Sequence, residues 1–538
     1  MSNIVRGTML LTGATFLSKF LGMIYIIPFN ELVGETGVTL NAYAYAPYNI
    51  LMSISTVGVP LAVSKFVAKY NSLGDYRTGM RMFRAGMLLM SVTGLIAFLV
   101  LFFSAEPIAH LMITNKDAGA ISAADVAIVI RMVSFALIII PAMSLVRGFF
   151  QGYQSMGPTA VSQVVEQIIR IVFLLGAAFI VLKLFHGSIT TAVGFATFAA
   201  FIGGLASCLV LWVYWQKRKT SIKQQVQQQE QEHQIPTKDL FVELFRYAGP
   251  FVLVGLATPL YQLVDQFTFE RAMAVVDHEN WITSYAVIGS NGHKLILIPV
   301  TIATGLSLAI LPALTKTFTQ KNWPLMYQQI NQALQIVMVL VIPAVVGLLM
   351  LSDVAYGSLF GLDHIDITGP LLAWYAPIAL LFALFTVSAS ILQGINQQRF
   401  AAISLSAGLL LKILFNIQLI HMFGAKGAIF GTGLAVGTAV ILNLWRVCVS
   451  IHFPLRQTIK RTVLILIFSL IMAIVLWVVE WVCGMFLPYK TDRLAAIVVL
   501  GIGVVLGGGV YLLLGYYSTL LERILGNRIR ILDRILRR

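Results

Sequence analysis

Gln151-Gly152-Tyr153-Gln154, followed by an apolar run carrying Arg170, is matched by Gln393-Gly394-Ile395-Asn396, followed by an apolar run carrying Lys412; each pair stands 242 residues apart. A second match joins Gly58-Val59-Pro60-Leu61-Ala62 to Gly305-Leu306-Ser307-Leu308-Ala309 at an offset of 247. Two matches at nearly one offset are the mark of an internal repeat, and many membrane transporters place their site between two such halves. Both pairs connect an apolar run with the sixth run after it. Six crossings are an even number, so the two halves enter a bilayer in the same sense and are related by an axis along the membrane normal.

Working outward from these segments, runs of about 20 apolar residues, long enough to span a bilayer, fall near 8–29, 41–68, 82–104, 124–150, 158–183 and 188–215. Six more follow near 246–272, 282–315, 328–352, 368–392, 399–421 and 426–451, and two more near 462–486 and 493–517. Between the sixth and seventh lies a polar insert, Gln216 to Lys238, with the tract Gln224-Gln225-Val226-Gln227-Gln228-Gln229, too polar to bury and read as a linker. The expected fold is therefore an all-α integral membrane protein of about 14 spans. It divides into an N-lobe at 1–215, a cytoplasmic linker at 216–245, a C-lobe at 246–452, two further spans within 453–517 and a basic tail at 518–538. Composition agrees: of 538 residues 58% are hydrophobic and 11% charged, with a mean hydropathy of +0.87, whereas soluble domains carry roughly 25% charged residues.

Basic residues gather on cytoplasmic loops, and most of the 37 Lys and Arg residues fall there when both termini are placed inside. Glu31, Glu35, Glu106, Asp353, Asp363 and Asp366 then lie outside. The charge of +15 is spread between apolar runs and forms no single patch, which argues against nucleic acid as a partner. Cys208, Cys448 and Cys483 sit in apolar runs without metal-ligand spacing, so no metal site is expected. In the tail, Leu521, Ile524, Leu525 and Ile529 alternate with Arg523, Arg528 and Arg530, the pattern of an amphipathic helix on an anionic leaflet.

A cation at bilayer centre costs roughly 3 kcal/mol on insertion scales, so deep bases usually face a watery interior. Lys19 in the first span and Lys294 in the eighth, with His293 beside it, are the deepest. Arg170 follows Glu166 by four residues, the favourable order for a helical ion pair, whereas Lys412, at the repeat-equivalent position, has Gly408 there. Arg131 and Lys65 are near enough to span ends to snorkel. Asp265, on Tyr261-Gln262 and Gln266, is a candidate for holding a coupling cation, Na+ or H+, or for neutralising a cavity base; Glu166 is the second candidate partner. Deep bases outnumber deep acids, a balance suited to an anionic substrate, and ammonium groups bind phosphate oxygens as point charges.

At these residues the chain resembles the multidrug, oligosaccharidyl-lipid and polysaccharide exporter superfamily, and within it the MurJ-like lipid II flippases and the related stage V sporulation B proteins. The resemblance rests on Arg6-Gly7-Thr8, Ser18-Lys19-Phe20-Leu21-Gly22, Lys294 to Pro299 and Gly305 to Leu314, and covers essentially all spans. Tyr25, Met52 and Ser53 stand where the Gram-negative branch carries bases. The resemblance implies alternating access, a lipid-linked oligosaccharide pyrophosphate as substrate, moved from the inner to the outer leaflet of the bacterial cytoplasmic membrane, and a prenyl-tail groove on the last two spans. It implies that Lys19 and Lys294 contact the pyrophosphate; Lys412 and Arg170 are further candidates from their depth. The expected protein acts as a monomer among membrane lipids, without cofactor. The rivals are a flippase for a teichoic acid or capsule unit and a cation-coupled multidrug antiporter; the latter should show more cavity carboxylates than bases. A glycan polymerase would need a large external loop with catalytic acids, and the external loops are short.

Overall fold

The computed structural model describes residues 13–15, 17, 18, 20–22, 24–56, 59–113, 121–153, 155–227, 256–277 and 279–520. Lys19, most of the basic tail and the second half of the polar insert lie outside the described residues. Every regular element among those described is a helix. Phe103, Val172, Leu209, Ile441, Phe486 and Val505 stand exposed. Such a surface is stable only when hydrocarbon, not water, surrounds it. By contacts the chain divides into two units, Met1–Arg271 and Ala272–Arg538.

In the first unit, α1 (Ile26–Thr56) is broken at Gly34, whose φ of 66° and ψ of −174° only glycine adopts without strain. After α2 (Val59–Ser72), buried Asp75 caps α3 (Tyr76–Phe103) by accepting from the Thr78 amide at 3.0 Å. The short α4 (Ala105–Met112) leads to α5 (Ala123–Ser134), started by a Ser122/Asp125 capping box. α6 (Ala136–Gly152) continues the same span beyond Phe135. Pro158 opens α7 (Gly157–Phe179), followed by α8 (Ile189–Gln227). The last element, α9 (Ala257–Val276), supplies residues up to Arg271. Gln266 Nε2 donates to the Ala42 carbonyl at 2.7 Å, and Arg271 to that of Leu111 at 3.0 Å, which ties α9 to this unit.

The second unit starts with α10 (Trp281–Gly289) and α11 (Asn291–Thr319), then α12 (Trp323–Met350), α13 (Ser352–Phe360) and α14 (Ile365–Gly394). α15 (Gln398–Phe423) and α16 (Ala425–Ile451) form a tight hairpin about Gly424, and α17 (Arg456–Phe486) and α18 (Arg493–Tyr517) complete it. At the hairpin an added Cβ on Gly427 would lie 2.1 Å from the Leu419 carbonyl oxygen.

Twelve helical stretches among the described residues are long and apolar enough to cross a bilayer, which is compatible with fourteen spans. The first, Gly13–Ile54, joins the first expected span to part of the second across the Gly34 break. α9 falls outside the twelve because Asp265, Glu270 and Arg271 crowd its 20 residues. The polar insert also begins later than its composition implies, since α8 stays helical through Gln227. Lys, Gln and Arg are good helix formers, Ile222 is buried against the cluster of Phe66, Phe83 and Phe149, and Arg77 Nε donates to the Val226 carbonyl at 3.3 Å.

The internal repeat reappears in helix packing. In the first unit a Cβ on Gly152 would meet the Ser64 carbonyl oxygen and Val67 Cβ, each at 2.8 Å. In the second, a Cβ on Gly394 would meet Leu314 Cβ at 2.8 Å and the Leu311 carbonyl oxygen at 3.7 Å. Ser64 and Leu311, like Val67 and Leu314, are separated by the same 247 residues as the sequence match. Small residues at such crossings let membrane helices approach closely.

Candidate functional site

In the first unit the polar side chains converge on α7. Glu166 accepts from Arg147 of α6 at 2.7 Å, with side chains 17% and 15% exposed. The same guanidinium donates to Ser162 Oγ at 2.9 Å and to Ser207 Oγ of α8 at 2.8 Å, so one cation joins three helices. Glu166 is thus committed to Arg147, and the i,i+4 pair with Arg170 read from the sequence is not the contact the fold makes. Arg147 was invisible to the reading of spacing because its partners come from neighbouring helices. Its depth, at Leu145-Val146-Arg147-Gly148, was the available signal.

Arg170 turns instead to tyrosines. Its guanidinium donates to the Tyr45 hydroxyl and lies 5.6 Å from that ring's centroid. Tyr48 meets Tyr45 edge to face at 5.5 Å, and Tyr25 is within electrostatic reach of the cation. Among the described residues, Arg170 Nε is buried without a hydrogen-bond partner, a donor left over in a cluster of phenols. The face that carries Arg170 also carries Gln167 and Gln163, three and seven residues earlier. Thr15 Oγ1 donates to Gln163 Oε1 at 3.2 Å, and a Cβ on Gly22 would lie 3.1 Å from Gln167 Nε2. This face of α7 is therefore turned to the segment of the first span that holds Thr15 and Gly22.

Asp265 and Glu270 of α9 are both buried, and both are within electrostatic reach of the buried Tyr43 of α1. Gln266 between them spans back to α1 through Ala42. Arg131 forms an exposed pair with Glu106 at 3.2 Å, consistent with snorkelling outward.

In the second unit, Lys294 of α11 is half-buried with its ammonium screened from solvent. Its neighbour His293 makes a 2.7 Å hydrogen bond through Nδ1 with the Tyr375 hydroxyl of α14 and feels the charges of both Lys294 and Lys412. Lys412 itself is 0% exposed, and its ammonium donates to Thr432 Oγ1 of α16 at 2.7 Å. The structure thus brings Lys294, His293 and Lys412 into one neighbourhood, with Lys412 inside the α15–α16 seam. Tyr375 and Thr432 were not foreseen, because only the packing of α14 and α16 sets them against the bases.

An apolar groove of about 390 Å³ runs between α12, α17 and α18, lined by Leu340, Pro343, Leu476, Gly503, Gly507 and Tyr511 among others. Gly503 and Gly507 line it on one face of α18, and a Cβ at either would press on Leu351 at 2.8 Å or Leu476 at 2.7 Å. Tyr511 keeps its hydroxyl satisfied by donating to the Val339 carbonyl at 2.8 Å. No group of three or more His, Cys, Asp or Glu side chains among the described residues is placed to hold a metal ion.

Residues 4–318 match the family model described as polysaccharide biosynthesis protein. The lipid II flippase MurJ of Bacillus subtilis (strain 168) is 45% identical over 531 residues, 98% of each chain. The stage V sporulation protein B of the same organism is 25% identical over 469 residues, 86% of each. Among solved structures, a lipid II flippase MurJ in an inward closed conformation superposes with a TM-score of 0.65 at 18% identity, covering 96% of this chain and 99% of the other.

Proposed function

The chain belongs to the polysaccharide biosynthesis protein family and, within it, to the lipid II flippases represented by Bacillus subtilis MurJ; on that premise we propose that it moves lipid II, a lipid-linked peptidoglycan precursor, from the inner to the outer leaflet of the cytoplasmic membrane. It is a multi-pass transporter and not an enzyme; alternating access needs no covalent step. The observation that carries the reading is identity over nearly the whole of both chains, which supports lipid II over another lipid-linked polymer unit or a drug antiporter.

As the bases that contact the substrate's pyrophosphate in the course of transport we propose Lys19, Arg170 and Lys294. In sequence Lys19 follows Thr15 by four residues and precedes Gly22 by three, and those two positions meet the face of α7 that carries Arg170. Arg170 keeps an unused buried N–H, which suits recognition of a planar or tetrahedral anion. Lys412 acts through its charge on the neighbourhood of Lys294 and His293, since its ammonium is bound to Thr432 and sealed from solvent. The groove on α12, α17 and α18 holds the prenyl tail; its almost wholly apolar lining supports this. Should a cation be coupled to transport, Na+ or H+, the candidate carboxylate is Asp265, buried on α9 within electrostatic reach of Tyr43. An inside-negative potential also favours outward movement of an anion, by about 2.3 kcal/mol per charge per 100 mV. The protein works as a monomer with both termini cytoplasmic.

The test is complementation of a strain depleted of its own flippase, with the lipid-linked precursor on the inner leaflet identified chemically. Wild-type protein should clear accumulated lipid II. Arg170→Gln should fail at normal membrane abundance, whereas Arg170→Lys retains part of the activity. Clearance of a different lipid-linked unit, or full activity of Arg170→Gln, would overturn the substrate or the site respectively.

A further inference from the structure

The end of the first unit that carries Arg77, Arg81, Arg84, Lys217, Lys219 and Lys223 is its cytoplasmic end by the positive-inside tendency. Just inside it, Phe83 and Met87 of α3, Met143 and Val146 of α6, and Leu211 and Trp212 of α8 line a second apolar groove, of about 410 Å³. That volume lies within the roughly 300–1,000 Å³ of small-molecule sites. One wall is aromatic: Trp215 stacks on Phe83 with centroids 5.6 Å apart and meets Phe149 in a tilted contact at 5.7 Å. The other is open to the bilayer: Trp212 is 59% exposed.

The basic rim is aligned with this groove. On α3, Arg84 precedes Met87 by three residues; on α8, Lys219 follows Trp215 by four and Trp212 by seven, so each cation continues the stripe that lines the groove. Arg84 and Lys219 are both exposed. Among the described residues neither has a hydrogen bond or ion pair. Neither 76–105 nor 189–229 contains an Asp or Glu, and the acid of the adjoining α7, Glu166, is held by Arg147. An apolar trough ending in two unneutralised cations is complementary to a molecule with a hydrocarbon chain and an anionic head.

We propose that this groove is a binding site for an anionic phospholipid of the inner leaflet, one acyl chain lying along Met87, Val146 and Trp212 and the phosphodiester lying between Arg84 and Lys219. The site is separate from α12, α17 and α18, where the substrate's tail is placed. Its occupant would join α3, α6 and α8 at the inner end of the first unit.

The experiment uses the full-length protein, purified and returned to nanodiscs of phosphatidylcholine with or without phosphatidylglycerol, read by thermal unfolding and by native mass spectrometry of retained lipid. Phosphatidylglycerol should raise the unfolding temperature of the wild-type chain. In Arg84→Gln/Lys219→Gln that increment should vanish, with the temperature in pure phosphatidylcholine unchanged and retention of phosphatidylglycerol about thirtyfold weaker, as expected for two basic residues near an anionic leaflet. Val146→Trp, which fills the groove, should lose retention with both cations in place. An equal increment in the double variant would overturn the proposal. So would a groove that retains phosphatidylcholine as firmly, or one from which a polyprenyl phosphate displaces phosphatidylglycerol at lower concentration.

Discussion

Replacing Glu166 by Ala strands a guanidinium in the interior. Arg147 is 15% exposed at its side chain and satisfies itself through Glu166, Ser162 and Ser207. Removing one partner of a buried ion pair costs about 3–5 kcal/mol, because the remaining charge keeps its desolvation penalty without compensation. Two serines remain to Arg147, which puts the expected loss at the lower end, about 3 kcal/mol. Arg131–Glu106 offers the internal control. Its side chains are 38% and 63% exposed, and Glu106→Ala should cost no more than ~1 kcal/mol. The assay is equilibrium unfolding in mixed micelles of increasing SDS fraction, followed by tryptophan fluorescence, arranged as two double-mutant cycles. The cycle of Glu166 with Arg147 should give a coupling of about 2 kcal/mol, and that of Glu166 with Arg170 about 0.5 kcal/mol or less, the range of a helical i,i+4 pair. A larger coupling to Arg170 would refute the assignment of Glu166 to Arg147 and return Arg170 to a structural role.

Three further outcomes are expected. Gly148→Ala places a methyl 2.4 Å from the Pro60 carbonyl oxygen and should destabilise by about 1–3 kcal/mol through overpacking; Gly305→Ala, with open space at that position, should not, as size-exclusion of heated detergent extracts will show. Lys412→Met keeps the chain length inside the α15–α16 seam while Thr432 still donates to the Ala428 carbonyl at 2.9 Å. It should therefore fold normally and lose about tenfold in transport measured by lipid II accessibility; unchanged transport would remove Lys412 from the mechanism. Asp353 of α13, outside the spanning segments, has its carboxyl raised above the ordinary 3.8 by burial, with Lys490 at 3.9 Å opposing and Asp366 adding to the shift. A raised folded-state pKa means a stabilising contribution present in acid and lost as pH climbs through that pKa. The unfolding temperature of the wild-type chain relative to Asp353→Asn should accordingly fall from pH ~4 upward, and a constant difference would sink the argument.

Much of the fold was legible because a bilayer imposes one rule on every spanning segment: about 20 apolar residues with backbone groups satisfied inside the helix. Hence the runs near 328–352, 399–421 and 426–451 correspond closely to α12, α15 and α16. Ends were less legible. α8 continues into a polar stretch because Ile222 and Val226 find partners on other helices, which no local composition reports.

The sequence alone determined that this chain dissolves in lipid, that its halves repeat, and that bases lie at depths where they are costly. Those properties follow from hydrophobicity, period and spacing, each carried by residues near one another along the chain. Which acid neutralises which base was decided only by tertiary structure. Glu166 is one turn from Arg170 on its own helix yet is bound to Arg147 on the preceding one, and Arg170 and Lys412, equivalent in the repeat, end beside Tyr45 and Thr432 respectively. The strength of an ion pair or hydrogen bond depends on distance in space and on the desolvation of both partners, and helix packing sets both.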